Sequence, residues 1–410
     1  MAIADPTPIS ADRRWSMLAL ISISAFLPMT TWFSATAIAP QLSRLWHLSP
    51  AQGAWITGAV QIGFAAGALA SAIAGLLDAV SLRKVIGISA LSAATANLCL
   101  LFAPSVGLLL LARFVTGIAL AGVYPPALKL VSTWFDRGRG TALGVLLAAL
   151  TLGSAFPHLL SAQAAELAWQ GVILATSVAA SMGGVLILCF GSEGPFPFAG
   201  STLDFRHVGT LLRNRALALV NLGYLGHMWE LYAMWGWILA YIRAASSGFG
   251  VADTRTMSLL AFLAVASGGP GSILGGIAAD RIGRTATAAA MMAISGLCAF
   301  TIGLTFDGPL WLFAVVAILW GTTVIGDSAQ FSAMATELSD PRHVGTALSL
   351  QLSVGIALTF VSVHLTSFVA ESFGWRWSFL ILAPGPLLGV TAMLMLRRLP
   401  EARRIARGLR

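Results

Sequence analysis

Twelve long apolar runs dominate the sequence and constrain its fold more than any other feature. They are centred near residues 28, 64, 92, 120, 151, 181, 229, 265, 295, 323, 356 and 386 of the 410-residue chain. A helix needs roughly 20 apolar residues to cross the hydrocarbon core of a bilayer. Only 10% of the residues are charged and 57% are hydrophobic, whereas a soluble domain carries about a quarter charged residues and cannot bury so much apolar surface. The chain is therefore predicted to be an all-α polytopic membrane protein with twelve transmembrane helices.

The two halves of the sequence share landmarks at a nearly constant spacing. Gly140-Thr141-Ala142-Leu143 recurs as Gly345-Thr346-Ala347-Leu348, and Trp32, Asp78 and Trp169 match Trp235, Asp280 and Trp375, at offsets of 205, 203, 202 and 206 residues. Four landmarks separated by half the chain indicate an internal repeat. We expect two pseudo-symmetric six-helix bundles, residues 1–192 and 214–410, joined by a cytoplasmic linker over residues 193–213.

The distribution of basic residues predicts the orientation of the chain. Lysine and arginine are retained in cytoplasmic loops. With the amino terminus inside, eighteen of the 24 cations fall on the inner side, and four, Arg44, Arg243, Arg255 and Arg376, fall on the outer side. We therefore expect an integral protein of a bacterial inner (plasma) membrane with both termini cytoplasmic. Because the net charge of +8 arises from this topology, nucleic acid is not expected as a partner.

Two short motifs give the sequence a family resemblance. Residues 276–284 read Gly-x-x-x-Asp-Arg-x-Gly-Arg, and Arg113 is followed four residues later by Gly117 on the fourth helix. Together with the twelve spans and the repeat, these motifs resemble the major facilitator superfamily. The resemblance implies a cytoplasmic gate that involves Asp280, Arg281, Arg284 and Asp78, although the arginine that should follow Asp78 is absent. The simpler alternative is that Asp280 and Arg281 only solvate a loop.

Helix seven carries the richest polar face in the sequence. Its helical spacing places His227, Glu230, Met234 and Trp237 on one stripe near the middle of the membrane. Charged side chains at that depth usually face a cavity or a partner. We expect this stripe to line a substrate site with a titratable carboxylate. The alternatives are that the aromatic residues only pack helices together and that His227 only forms a hydrogen bond between helices.

Helices four and ten supply further candidates for the site. Asp327 and Gln330 share one face of helix ten, and Tyr124 shares a face with Arg113 on helix four. Trp32 belongs to helix one, which should also line the centre. Asp327 or Glu230 could gain and lose a proton as access to the site changes. The alternative is a permanent ion pair between Asp327 and Arg113.

The expected function is secondary transport of a small organic solute by alternating access, coupled to protons. The sequence contains no G-x-S-x-G, Walker or H-E-x-x-H motif and no Cys or His spacing that suits a metal, so we expect neither an enzyme nor a cofactor. The expected partners are the solute, protons and the lipid bilayer, and the chain is expected to be a monomer. Two alternatives remain open: a facilitative uniporter or pore, and a transport-inactive membrane sensor. The direction of transport also remains open, because the acids would suit a cation and Arg113 and His227 would suit a carboxylate.

Overall fold

The computed structural model describes residues 11–135, 139–163, 168–196, 214–250, 253–339 and 344–410. These residues form long helices that we number as twelve units. The units are α1 (Ala11–Met29), α2 (Pro50–Ile73), α3 (Leu82–Phe102), α4 (Val106–Trp134), α5 (Arg139–Gln163), α6 (Trp169–Phe190), α7 (Arg215–Phe249), α8 (Thr254–Ile282), α9 (Arg284–Thr305), α10 (Leu310–Leu338), α11 (Val344–Phe373) and α12 (Ser378–Arg398). Most of the linker expected over residues 193–213 lies outside the described residues.

The twelve units agree with the twelve apolar runs. Ten units in the described part of the chain are long and apolar enough to cross a membrane by themselves. The other two, α1 and α7, carry more polar residues: α1 begins with Asp12, Arg13 and Arg14, and α7 contains His227 and Glu230. The all-α polytopic prediction is confirmed.

Glycine allows two helices to pack closely at corresponding places within each half. A side chain at Gly117 of α4 would collide with the carbonyl group of Val60 in α2. One half-chain later, a side chain at Gly321 of α10 would collide with the carbonyl group of Ala264 in α8. Small residues allow such close backbone approach where lipid supplies no hydrophobic driving force. The repeat in sequence is thus also a repeat in helix packing.

Basic side chains gather at one end of the helices, which we call the basic face. Its described members include Arg13, Arg14, Arg83, Lys84, Arg281, Arg284, Arg397, Arg398 and Arg410. Contacts join its parts: Arg83 Nη1 donates to the Gly191 carbonyl (3.4 Å) and Thr285 Oγ1 donates to the Arg410 carbonyl (3.1 Å). The other end, called here the opposite face, carries Arg44, Arg243, Arg255 and Arg376.

Several units are interrupted near their middle, where backbone groups leave the helical pattern. The chain unwinds between Met29 and Ser34, after α1, and α4 breaks at residues 122–123. In the second half, α8 breaks at Ser267 and α10 breaks between Val324 and Ser328. Broken helices are tolerated inside a membrane where they are buried in protein or line a cavity. The interruptions therefore point to the centre of the molecule as the place for a site.

Candidate functional site

A small cavity lies between the two halves of the molecule. Its volume is about 30 Å³. It is lined from the first half by Met29, Tyr124, Leu147, Leu150, Thr151 and Ser154, and from the second half by Tyr224, Met228, Leu231, Tyr232, Trp235, Ile325, Ser328, Leu352 and Ile356. Sites for small organic ligands usually measure about 300–1,000 Å³. In this conformation the cavity is too small for such a ligand.

Aromatic rings from both halves close the cavity toward the opposite face. The Tyr232 ring stacks on the Trp32 ring at a centroid distance of 5.2 Å and on the Phe33 ring at 6.4 Å. Phe33 also meets Trp235 edge-on at 6.1 Å. These four side chains, which we call the aromatic seal, are all buried. The seal joins the halves through ring contacts alone, each of which contributes about 0.5–1.5 kcal/mol.

The path from the cavity toward the basic face is more open. Ser328 of α10 lines the cavity and is partly exposed. Ser332 and Thr336, one and two turns further along the same side of α10, are exposed. The exposed side chains toward the basic face contrast with the buried aromatic seal toward the opposite face.

Arg113 holds the unwound segment that carries half of the seal. Its guanidinium donates to the carbonyl groups of Thr31 (2.8 Å) and Trp32, to that of Ile56 (3.3 Å), and to Ser34 Oγ (3.3 Å). The side chain is completely buried. Carbonyl oxygens freed by the unwinding would be costly in an apolar interior without such a donor. Arg113 is thus placed to position Trp32, and through it the seal.

The predicted stripe on α7 does not line this cavity, which differs from our expectation. Glu230 lies inside the second bundle, where its carboxylate accepts hydrogen bonds from Trp320 Nε1 (2.6 Å) and Ser295 Oγ (2.9 Å). Trp237 Nε1 donates to the Val363 carbonyl (2.8 Å), and Met234 is fully buried. The cavity is lined instead by the stripe displaced by one residue, a rotation of about 100° around the helix. Glu230 and Trp237 of the polar stripe thus form their hydrogen bonds within their own bundle.

His227 and Asp327 form a buried pair within the same bundle. His227 Nδ1 lies 2.8 Å from Asp327 Oδ1, and both side chains are almost fully buried. Asp327 stands in the break of α10, immediately before Ser328. The alternative ion pair between Asp327 and Arg113 is not formed, because Arg113 is occupied by carbonyl groups of the first bundle. The His227 ring lies 6.1 Å from the ring of Tyr224, which lines the cavity.

The gate residues predicted from the loop motif separate into two groups. Arg284 forms an ion pair with Glu337 (Nη2 to Oε1, 3.0 Å) and donates to Gln330 Oε1 (3.2 Å). These contacts join α9 to α10 inside the second bundle, and so they do not bridge the two halves as the gate hypothesis expects. Asp280 and Arg281 are exposed at the end of α8, and the side chain of Asp78 lies outside the described part of the structure.

Sequence reasoning missed most of the side chains that line the cavity. Of the predicted residues, Tyr124 lines it, and Trp32 closes it through Tyr232. The stripe that carries Tyr224, Tyr232 and Trp235 contains no charged group, so the cost of burying charge does not predict these aromatic residues as part of the site. A signal was present: Trp32 and Trp235 are repeat partners, and both lie in the aromatic seal where the two halves meet.

Comparison with curated proteins gives several partial matches to transporters. The chain is 29% identical over 133 residues to the 3-(3-hydroxy-phenyl)propionate transporter of Escherichia coli and 35% identical over 127 residues to the niacin transporter NiaP of Acinetobacter baylyi. It is 27% identical over 219 residues to the probable sulfoacetate transporter SauU of Cupriavidus necator. The matched segments cover 32%, 28% and 50% of these relatives, and 32%, 28% and 49% of this chain.

Comparison with solved structures and family models extends the likeness over nearly the whole chain. A bacterial homologue of the human lysosomal transporter Spinster, in an inward-facing and unoccupied conformation, superimposes with a TM-score of 0.71 at 14% identity over 95% of this chain and 98% of that one. At that identity the match shows the fold alone. The family model described as Major Facilitator Superfamily matches residues 21–268 and, in a second copy, residues 220–408. The chain therefore belongs to the major facilitator superfamily, as its sequence motifs indicated.

Proposed function

We propose that this protein is a secondary transporter that carries a small organic solute across a bacterial inner membrane by alternating access. The observation that carries the proposal is the central cavity, which both halves line and which aromatic rings from both halves close on one side. Residues 1–192 and 214–410 would move as two bundles connected by the linker. Rocking of one bundle against the other would enlarge the cavity and expose it to each side in turn.

The energy of the aromatic seal suits a contact that breaks in every cycle. Its two contacts between Tyr232 and the first bundle contribute about 1–3 kcal/mol together. A contribution of that size is comparable to the few kcal/mol that separate many functional minor states from the ground state. The basic face would be cytoplasmic by the positive-inside rule, and the conformation described here would then open inward.

The lining of the cavity favours a solute that has an aromatic or apolar part and a hydrogen-bonding group. Three tyrosines and Trp235 supply ring surfaces, and Thr151, Ser154 and Ser328 supply hydroxyl groups. Trp235 Nε1 is buried without a hydrogen-bond partner, so it can donate to a ligand without breaking another bond. The name of one relative, the 3-(3-hydroxy-phenyl)propionate transporter, describes a solute with a phenyl ring and a carboxylate, which makes phenylpropionates the first probes to test.

The buried acids of the second bundle support coupling to protons. His227 and Asp327 are shielded from water but adjoin the cavity through Tyr224. Gln330, one turn beyond Asp327, contacts Arg284 at the basic face. A polar path thus leads from the buried pair to the cytoplasmic side. Protonation of Asp327 would weaken its attraction to His227 and allow the break in α10 to rearrange.

The test is solute flux in proteoliposomes with and without an imposed pH gradient. We expect 3-(3-hydroxyphenyl)propionate or a related acid to accumulate against its gradient when the pH gradient is applied. Asp327→Asn and Glu230→Gln should abolish accumulation but retain downhill flux, whereas Glu371→Gln, an exposed acid outside the bundle core, should retain both. If both buried variants still accumulate solute, the coupling assignment is wrong. Wild-type flux that ignores the pH gradient would favour a uniporter, and the absence of flux for every solute tested would favour the sensor.

A further inference from the structure

Three basic side chains converge where the two bundles meet at the opposite face. Arg243 comes from α7, His158 from α5, and Arg44 from the short helix Ala39–Trp46 that follows α1. Arg243 lies close enough to both Arg44 and His158 for their charges to interact. His158 is 1% exposed, whereas Arg243 is partly buried and Arg44 is exposed. We call these three residues the outer basic cluster.

The outer basic cluster has unused hydrogen-bonding capacity. Both ring nitrogens of His158 and Nε of Arg243 are buried without a partner. In the described part of the chain, no carboxylate lies within ion-pair distance of Arg44 or Arg243. Burying an unpartnered donor costs free energy, and two neighbouring arginines repel each other. Such an arrangement is stabilised when an anion binds between the positive charges.

The other two cations of the opposite face are arranged differently. Arg376 Nη1 forms an ion pair with Asp307 Oδ2 at 2.8 Å, and Arg255 is exposed next to the acidic residue Asp253. Those arginines have acids beside them. The outer basic cluster therefore stands out among the basic residues of this face by the absence of a described acidic partner.

The position of the cluster places it on the solute path. Arg243 lies on the same face of α7 as Tyr232, eleven residues or three helical turns further out. His158 lies one turn beyond Ser154 on the face of α5 that lines the cavity. The aromatic seal separates the cluster from the cavity. A solute that approaches from outside would meet the cluster first and the seal second.

We propose that the outer basic cluster binds the carboxylate of an organic anion and so selects anionic solutes at the outer mouth of the transporter. This inference rests on the proposed function and narrows its substrate class to organic acids. Arg243 and Arg44 would each contribute charge-assisted hydrogen bonds, which are the strong ones in carboxylate recognition. His158 would supply a third group from the first bundle, so that the bound anion contacts both halves.

The test is direct binding to the purified full-length protein in detergent, measured by calorimetry at low ionic strength. The probes are 3-phenylpropionate and its neutral counterpart 3-phenylpropanol, and the variants are Arg243→Gln, Arg44→Gln and the control Arg255→Gln. We expect the Kd for 3-phenylpropionate to rise at least about tenfold in the first two variants, because each removes a charged hydrogen-bond donor. The Kd for 3-phenylpropanol should change less than about twofold in these variants. The Kd of the Arg255→Gln control for 3-phenylpropionate should also change less than about twofold.

Thermal unfolding is a second measurement, and it distinguishes a binding role of Arg243 from a purely structural role. Without an anion, Arg243→Gln should unfold at the same temperature as the wild type or higher, because it relieves repulsion with Arg44. Should Arg243→Gln fold poorly, Arg243→Lys, which retains the charge, should bind 3-phenylpropionate more tightly than Arg44→Gln does.

Three outcomes would overturn the inference. One is an unchanged affinity for 3-phenylpropionate in both arginine variants. Another is competition by chloride as effective as that by acetate, which would indicate a site for inorganic anions. The third is that Arg44→Gln leaves the affinity for 3-phenylpropionate unaltered but weakens the interaction of the protein with vesicles containing anionic lipid. That result would assign Arg44 to lipid headgroups. None of these results decides the proposed function, which is tested separately by solute flux in proteoliposomes.

Discussion

Removal of the Tyr232 ring should open the central cavity toward the opposite face. Tyr232 is 7% exposed and stacks on both Trp32 and Phe33, which belong to the other bundle. Tyr232→Ala removes both cross-bundle contacts, each contributing about 0.5–1.5 kcal/mol. The loss of about 1–3 kcal/mol from the sealed state corresponds to a shift of about 5- to 150-fold in the equilibrium toward the outward-open state. Tyr232→Phe retains the ring and is the matched control.

The shift can be measured as chemical access to the cavity. Ser154 lines the cavity, and Ser154→Cys can be introduced after Cys99, Cys189 and Cys298 have been replaced. A membrane-impermeant thiol reagent added from outside should then label position 154 in proportion to the fraction of outward-open molecules. We expect labelling of the Tyr232→Ala protein to be at least about fivefold faster than that of the Tyr232→Phe protein.

Equal labelling rates in the two variants would contradict a sealing role for the Tyr232 ring. That result would mean that the rings do not hold the outer side closed and that some other contact does. An increase in both variants would indicate instead that the Tyr232 hydroxyl group is the important element. Labelling from the cytoplasmic side gives an internal check, since it should become slower as the outward-open fraction rises.

Three further predictions test the packing and the polar contacts. Gly275→Ala should destabilise the protein by about 1–3 kcal/mol, because its side chain would collide with the Gly326 carbonyl, whereas Gly276→Ala has open space and should change the unfolding midpoint little. Arg113→Gln should lower the thermal stability and also speed outer labelling in the assay above, because it frees the carbonyl groups that hold the unwound segment; an effect on stability alone would contradict its role in the seal. Trp237→Phe should lower stability by about 1 kcal/mol through the lost hydrogen bond but leave solute affinity within twofold, and a large loss of affinity would restore Trp237 to the substrate wall.

The fold could be predicted because membrane solvation leaves few choices. A run of apolar residues with no polar break must become a helix that crosses the bilayer, since unpaired backbone groups are too costly there. The repeat and the loop motif then identified the two-bundle architecture. The glycines at positions 117 and 321, which occupy equivalent places in the packing, show how closely sequence symmetry and structural symmetry agree.

The site was harder to predict because the rotation of a helix about its axis leaves no clear mark in its sequence. On α7 the polar stripe and the cavity stripe differ by a single residue. Reasoning from the cost of buried charge placed Glu230 at the cavity, but Trp320 and Ser295 satisfy its carboxylate inside the bundle. Those partners lie 90 and 65 residues away in the chain, so only tertiary structure reveals them. For the same reason, Arg113 turned out to bind carbonyl groups and not an acid.

The most direct test of alternating access is to prevent the two bundles from separating at the outer side. Phe33 and Tyr232 face each other across the seal, and Phe33→Cys with Tyr232→Cys can be joined through two reducible disulfide bonds by a short bis-methanethiosulfonate crosslinker in the cysteine-free protein. We expect crosslinking to stop flux of 3-(3-hydroxyphenyl)propionate in proteoliposomes and reduction to restore it, while neither single-cysteine variant responds. Undiminished flux through the crosslinked protein would contradict the claim that solute passes between the bundles.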